Sequence, residues 1–200
     1  YITAGSIIND APLTFNGATW PKNFYSGYRG QMSFRTALQQ SVNVCAVKIY
    51  LQIGPDYAAS MLKKVGITTV DDEGEVNDLN PAALALGGMT QGISPLELTA
   101  AYATFPNGGV YKNPISYTKV LNSKDEVLFE KSSEGEQVYN EGVAWIMTDI
   151  LHTVVTQGIA GNANISSQPV GGKTGTTDNN YDAWFAGFTP QYSAALWMGN

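Results

Sequence analysis

Apolar side chains recur at helical spacing through much of the chain and alternate with polar ones in its last third. From Phe34 to Leu51 the helical stripe runs behind a capping Ser33, and the weaker helix formers Gln40-Ser41-Val42-Asn43 interrupt it. The interruption predicts two helices meeting at a turn. Pro55 opens another helix, with Tyr57, Ala58, Met61, Leu62 and Val65 on one stripe and Gly66 at its end. Ser94-Pro95-Leu96-Glu97 is a capping box with Pro at the first helical position, and it predicts a helix through Phe105 that Pro106-Asn107-Gly108-Gly109 stops. Val143, Ile146, Met147, Ile150, Leu151 and Val154 predict a long amphipathic helix over 140–157.

Elsewhere the period is two. The runs 115–121 and 127–130 flank Asn122-Ser123-Lys124-Asp125-Glu126 as an exposed hairpin, and 183–189 and 192–198 form two strands across a tight Pro190-Gln191 connection. Residues 1–30 are broken by Asn9-Asp10-Ala11-Pro12, Asn16-Gly17 and Trp20-Pro21-Lys22-Asn23, and read as irregular structure with one short strand. The acidic run 71–80 lacks the alternating ligand spacing of a calcium loop and reads as solvated surface. The expected class is α+β, one domain over 1–200 with a mostly helical lobe over 1–110 and a sheet-rich lobe over 111–200.

Composition narrows the function. At 44% hydrophobic, 200 residues supply a substantial core, so disorder is excluded. Seventeen acidic residues against eleven basic ones leave a net charge of −6, which argues against nucleic acid as a partner. One cysteine and one histidine exclude an internal disulfide and the usual zinc clusters, so neither metal nor cofactor is expected. Cys45, in an apolar helical run, reads as buried, and His152 as a helix-surface or core residue. No run reaches the roughly 18 apolar residues of a membrane span, and the first residues lack a basic signal-peptide region.

Gly172-Lys173-Thr174 invites comparison with a phosphate-binding loop. The glycine such a loop needs six residues before its lysine is here Ser167, Pro169 removes a backbone donor, and a strand follows where a helix is required. A nucleotide site is therefore set aside. The alternative is a Lys-Thr-Gly strand edge: the Lys173 ammonium supplies positive potential, Gly175 leaves room for a peptide backbone, and Thr174 and Thr176 offer hydroxyls to an anionic peptide terminus. Paired with Ser41-Val42-Asn43 at the helix junction, that edge implies a cleft between the lobes.

In this order the two motifs match the Ser-x-Asn and Lys-Thr-Gly elements of serine penicillin-recognising enzymes. The chain resembles the transpeptidase domain of class A, bifunctional penicillin-binding proteins. Gly17 to Asn23, Arg35 to Lys48, Gly92 to Tyr102, and Lys173 to Thr177 with Asp182-Ala183-Trp184-Phe185 carry the likeness. The resemblance implies an antiparallel sheet flanked by helices plus a helical lobe, the serine β-lactamase-like fold. It implies a D,D-transpeptidase acting on peptidoglycan stem peptides, acylated by β-lactams, on the extracytoplasmic face of the cell membrane, with a glycosyltransferase in the parent protein.

By the same resemblance Ser41 relays a proton to the leaving nitrogen, Asn43 hydrogen-bonds the substrate amide and the nucleophile's lysine, and Lys173 keeps the site positive. Thr174 and Thr176 bind the terminal carboxylate, with Gly175 and Thr177 completing the edge, and Trp20 is read as packed core or as lining of the cleft mouth. The family's nucleophile sits in a Ser-x-x-Lys motif upstream of Ser-x-Asn, and none lies between Tyr1 and Ser41. Ser60-Met61-Leu62-Lys63 fits the pattern only downstream, where the helical stripe explains it. The expectation is a domain truncated at both ends, inactive alone, with a companion segment carrying Ser-x-x-Lys. A D,D-carboxypeptidase, a β-lactamase and a non-enzymatic penicillin-sensing domain are the alternatives.

Overall fold

The computed structural model describes residues 2–177 and 180–199; Tyr1, Asp178, Asn179 and Asn200 lie outside them, and with them part of the expected link between Thr177 and Tyr181. The first thirty residues are more ordered than their turn signals suggest. Strand β1 (Ile7–Asp10) pairs antiparallel with β4 (Gly30–Ser33), and β2 (Thr14–Phe15) folds back on β3 (Ala18–Thr19). The turn between β2 and β3 is Asn16-Gly17, both at positive φ, the backbone that twists a two-residue hairpin correctly.

Two helices meet where expected. Helix α1 (Phe34–Gln39) starts at Ser33, whose side chain accepts from the Thr36 amide, and α2 (Asn43–Ile53) follows after the break. Helix α3 (Pro55–Lys64) and a one-turn α4 (Pro81–Leu84) come next, and α5 (Pro95–Ala103) carries the capping box in full. The acidic run departs from its reading at Asp78, which is 1% exposed and accepts from the Asp71 and Thr90 amides and the Thr90 hydroxyl. Strand β5 (Val110–Lys112) pairs with β8 (Gly135–Gln137) around a hairpin of β6 (Lys119–Leu121) and β7 (Val127–Glu130). Residues 115–118 are not strand.

The long helix α6 (Glu141–Gln157) leads into a three-stranded antiparallel sheet ordered β11-β10-β9, from β9 (Gly171–Thr176), β10 (Asp182–Phe188) and β11 (Ser193–Gly199). Val154 and Val155 pack with Ala160 and Val170, and with Leu38 of α1 and Phe185 of β10. Cys45 is buried in a second cluster with Ala37 and Val42. His152 is half-buried with Nδ1 on the Val170 carbonyl, a structural setting.

The ends of α1 and α6 are pinned together. The Ile159 amide and the Gln39 side-chain amide form crossed bonds, to the Gln39 carbonyl and the Gln157 carbonyl respectively. Arg35 reaches across to the Asp149 carboxylate and the Thr153 hydroxyl. Gly158 makes the approach possible, since a Cβ there would lie 2.7 Å from the carbonyl oxygens of both Gln39 and Val154. Gly158→Ala is expected to destabilise the fold by about 1–3 kcal/mol, the usual range for overpacking. Gly161→Ala, with nothing within 4 Å of the added Cβ, should stay within about 0.5 kcal/mol. Urea denaturation of the two variants checks the contrast.

Candidate active site

Ser41 lies two residues beyond the pinned end of α1, and its backbone conformation follows from how that helix stops. The Ser41 amide bonds to the Leu38 carbonyl and the Val42 amide to the Ala37 carbonyl, the paired closure of a Schellman motif. The position between them turns left-handed, and Ser41 holds φ of 52° where glycine is usual. For a residue with a Cβ this costs about 1–2 kcal/mol. Val42 and Ala37 share a buried cluster, which holds the turn closed.

Lys173 sits in β9, an edge strand of the three-stranded sheet among the described residues. Its Nζ donates to the Ser41 hydroxyl oxygen at 2.8 Å and to its neighbour's carbonyl, Thr174 O, at 2.9 Å. The structure thus brings Ser41 and Lys173 into direct contact across 132 residues of chain. Burial strips water from the ammonium and lowers its pKa to about 8. Among the described residues no carboxylate pairs with it. Because the ammonium donates to Oγ, the Ser41 hydroxyl hydrogen is free to point elsewhere.

Asn43 opens α2, and its Nδ2 donates to the Lys22 carbonyl at 2.9 Å. A carbonyl can only accept, so Oδ1 is the group left to meet a donor. Along β9, Thr174 is half-buried while Gly175, Thr176 and Thr177 are exposed. Thr177 differs from the others: its hydroxyl donates to the Asp182 carboxylate and accepts the Asp182 amide, so it closes the turn into β10. Gly171 and Gly172 are close-packed, since a Cβ on either would enter the Phe188 or Phe185 ring. Trp20 is half-buried, with its ring centroid 5.6 Å from that of Phe15.

Ser60 and Lys63 on α3 form no pair. The Ser60 hydroxyl bonds the Tyr57 carbonyl and Lys63 pairs with Asp72. Sequence reading missed the Lys22 carbonyl as a partner of Asn43, although the Trp20-Pro21-Lys22-Asn23 cluster had marked a turn there.

A family model described as the penicillin binding protein transpeptidase domain matches residues 2–199. Penicillin-binding protein 1A of Clostridium acetobutylicum is 36% identical over 208 residues, covering 99% of this chain and 25% of its own. Penicillin-binding protein 1F of Bacillus subtilis is 35% identical over 200 residues, covering 97% of this chain and 27% of its own. The chain spans about a quarter of the length of these relatives. Among solved structures, PonA1 from Mycobacterium tuberculosis in complex with penicillin V superposes at a TM-score of 0.85 and 26% identity, over 100% of this chain and 55% of that one.

Lys173 is expected to titrate near pH 8 when followed through its side-chain carbon and nitrogen NMR shifts. Its folded pKa of about 8 lies below the unfolded value of about 10.4, so the penalty of burying the charge is full below pH 8 and fades as pH rises between the two. Unfolding free energy relative to Lys173→Met should therefore increase across that window.

Proposed function

The chain belongs to the penicillin-binding protein transpeptidase family, and on that premise we propose that it forms the Ser-x-Asn and Lys-Thr-Gly sides of a cleft that crosslinks peptidoglycan. The observation that carries the reading is the Lys173–Ser41 hydrogen bond, which joins the two motifs into one site. Nothing in the stability of either lobe requires a half-buried ammonium to meet a serine in a strained turn. A peptide carboxylate is well matched by a cation beside a free strand edge.

In the proposed reaction a serine of a Ser-x-x-Lys motif, supplied by a companion segment of the parent protein, attacks the penultimate D-alanine carbonyl of a stem peptide. Its proton passes to a base, the C–N bond breaks, and terminal D-alanine leaves as an amine after taking up a proton. The ammonium holds the Ser41 Oγ as an acceptor, so the Ser41 hydroxyl hydrogen is presented to that leaving nitrogen. The amine of a second strand then attacks the acyl-serine, forming the crosslink and returning a proton to the serine oxygen.

Asn43 offers Oδ1 to the nucleophile's lysine. The hydroxyls of Thr174 and Thr176 hold the terminal carboxylate beside Lys173, Gly175 lets the peptide lie against β9, and the Thr176 amide serves the oxyanion. Thr177 shapes the strand end, since its hydroxyl is already committed to Asp182. Trp20 lines the approach to the Lys22 segment. β-Lactams enter as mimics of the D-alanyl-D-alanine end. The work belongs outside the cytoplasmic membrane, where stem peptides are crosslinked, in a parent protein that also carries a glycosyltransferase.

With Ser60 and Lys63 bonded elsewhere, these 200 residues alone should take no covalent label from a fluorescent penicillin, whereas the parent protein should. In the parent, Lys173→Ala should slow acylation by about tenfold or more while the variant stays folded. Labelling of Ser60, or an unchanged acylation rate in that variant, would overturn the assignment. D-Alanine release that depends on an added acceptor amine distinguishes the transpeptidase from a hydrolase.

A further inference from the structure

We propose that Asp10 is a positioning residue for the cleft, acting through Asn23 and Lys22 on Asn43 and on the first turn of α2. The inference rests on the transpeptidase reading for its effect on acylation, but its geometry stands apart from that reading.

Asp10 ends β1 with its side chain completely buried. A carboxylate in that position needs its lone pairs filled. The Asn23 side-chain amide donates to Oδ1 at 2.8 Å, while the Tyr25 hydroxyl at 2.5 Å and the Arg29 amide at 2.8 Å donate to Oδ2. Burial works against the charged form, yet the bonds from Tyr25, Asn23 and Arg29, with nearby Lys48, outweigh it and hold the acid below its ordinary pKa. Asp10 is therefore an anion at neutral pH, and these bonds are charge-assisted.

Asn23 transmits the restraint. Its Nδ2 faces Asp10, so its Oδ1 faces the other way, where it accepts the Val44 amide at 3.3 Å. Val42, the N-cap of α2, supplies no capping side chain. Asn23 thus does from a distant loop what a local Ser or Asp usually does. The residue before it, Lys22, presents the carbonyl that orients the Asn43 amide. One turn along α2, the Lys48 ammonium binds the Asn9 and Ala11 carbonyls on either side of Asp10, so strand and helix are tied twice.

Asp10 touches no cleft residue itself. Its replacement should loosen the Lys22–Asn23 segment and let Asn43 lose its fixed orientation. Asp78 provides a matched comparison: it is equally buried, also bonded by two amides and a hydroxyl, and packs away from this network.

Two measurements test the proposal. In the parent protein, at a temperature where each variant is folded, Asp10→Asn should slow acylation by a penicillin by about 10- to 100-fold, the scale set by small misplacements. The loss should fall on the acylation step more than on initial binding, while Asp78→Asn lowers the melting temperature and leaves the acylation rate within about twofold of wild type. Separately, hydrogen exchange at the Asn43 side-chain amide should quicken in Asp10→Asn and not in Asp78→Asn. Should Asp10→Asn not fold, Asn23→Ala keeps the buried anion and is expected to show both effects. Unchanged Asn43 exchange in the folded variants, or an equal acylation loss in Asp78→Asn, would overturn the positioning role. A wild-type parent that penicillin does not acylate would overturn the transpeptidase reading instead, and the exchange measurement would still decide the role of Asp10.

Discussion

The meeting of Ser41 with Lys173 depends on the contact between the last turn of α1 and the last turn of α6. Backbone polar groups of Gln39 and Ile159 satisfy one another there, and Gly158 leaves the two chains close enough to do so. A surface ion pair such as Arg35–Asp149 adds little on its own, about 0–1 kcal/mol, but it fixes the rotation of one helix against the other. The proposed site hangs from this junction. Ser41 projects from the end of α1, and β9 follows the end of α6, so the junction sets how far Ser41 lies from Lys173.

Electrostatics then acts on that distance. With only 14% of its residues charged, the chain keeps few groups that could neutralise the Lys173 ammonium. Lys173 is held by a hydroxyl and a carbonyl, both neutral acceptors, and gives up hydration to reach them. Such an ammonium is poorly solvated and readily improved by an anion. The carboxylates of Asp10, Asp78 and Glu97 follow the opposite logic: each has its oxygens filled from within the protein, and Glu97 is held at a pKa of about 2 by Thr68 and Ser94 despite burial. Their charge is met within the protein, whereas that of Lys173 has no carboxylate partner among the described residues.

Much of this was legible in the residues. The weak helix formers Gln40-Ser41-Val42-Asn43 announced the break between α1 and α2, and the capping box at Ser94 fixed the start of α5. Strands β10 and β11 also lay where the alternation placed them, and Lys173 lies in a strand as the Lys-Thr-Gly reading expected. What escaped was structure held by distant partners. Strands β1, β4, β5 and β8 are three or four residues long, too short to show a period, and exist because another backbone completes them. The Asn16-Gly17 hairpin carried a usable signal that its two-residue strands obscured. Asp10 and Asp78 lay in turn-rich and acidic runs, where an aspartate that points inward looks like its solvated neighbours. Thr177, taken with its neighbours as part of the binding edge, proved committed to Asp182, a partner no local pattern indicates.

The left-handed turn at Ser41 has an evolutionary consequence. Glycine or asparagine would sit there more comfortably than serine. Random substitution followed by selection for a sturdier protein would therefore drift away from the hydroxyl, while selection for the proposed reaction would hold it. With the role proposed for Ser41, the turn sets stability against turnover, and a lineage that had lost the reaction would be free to relax it.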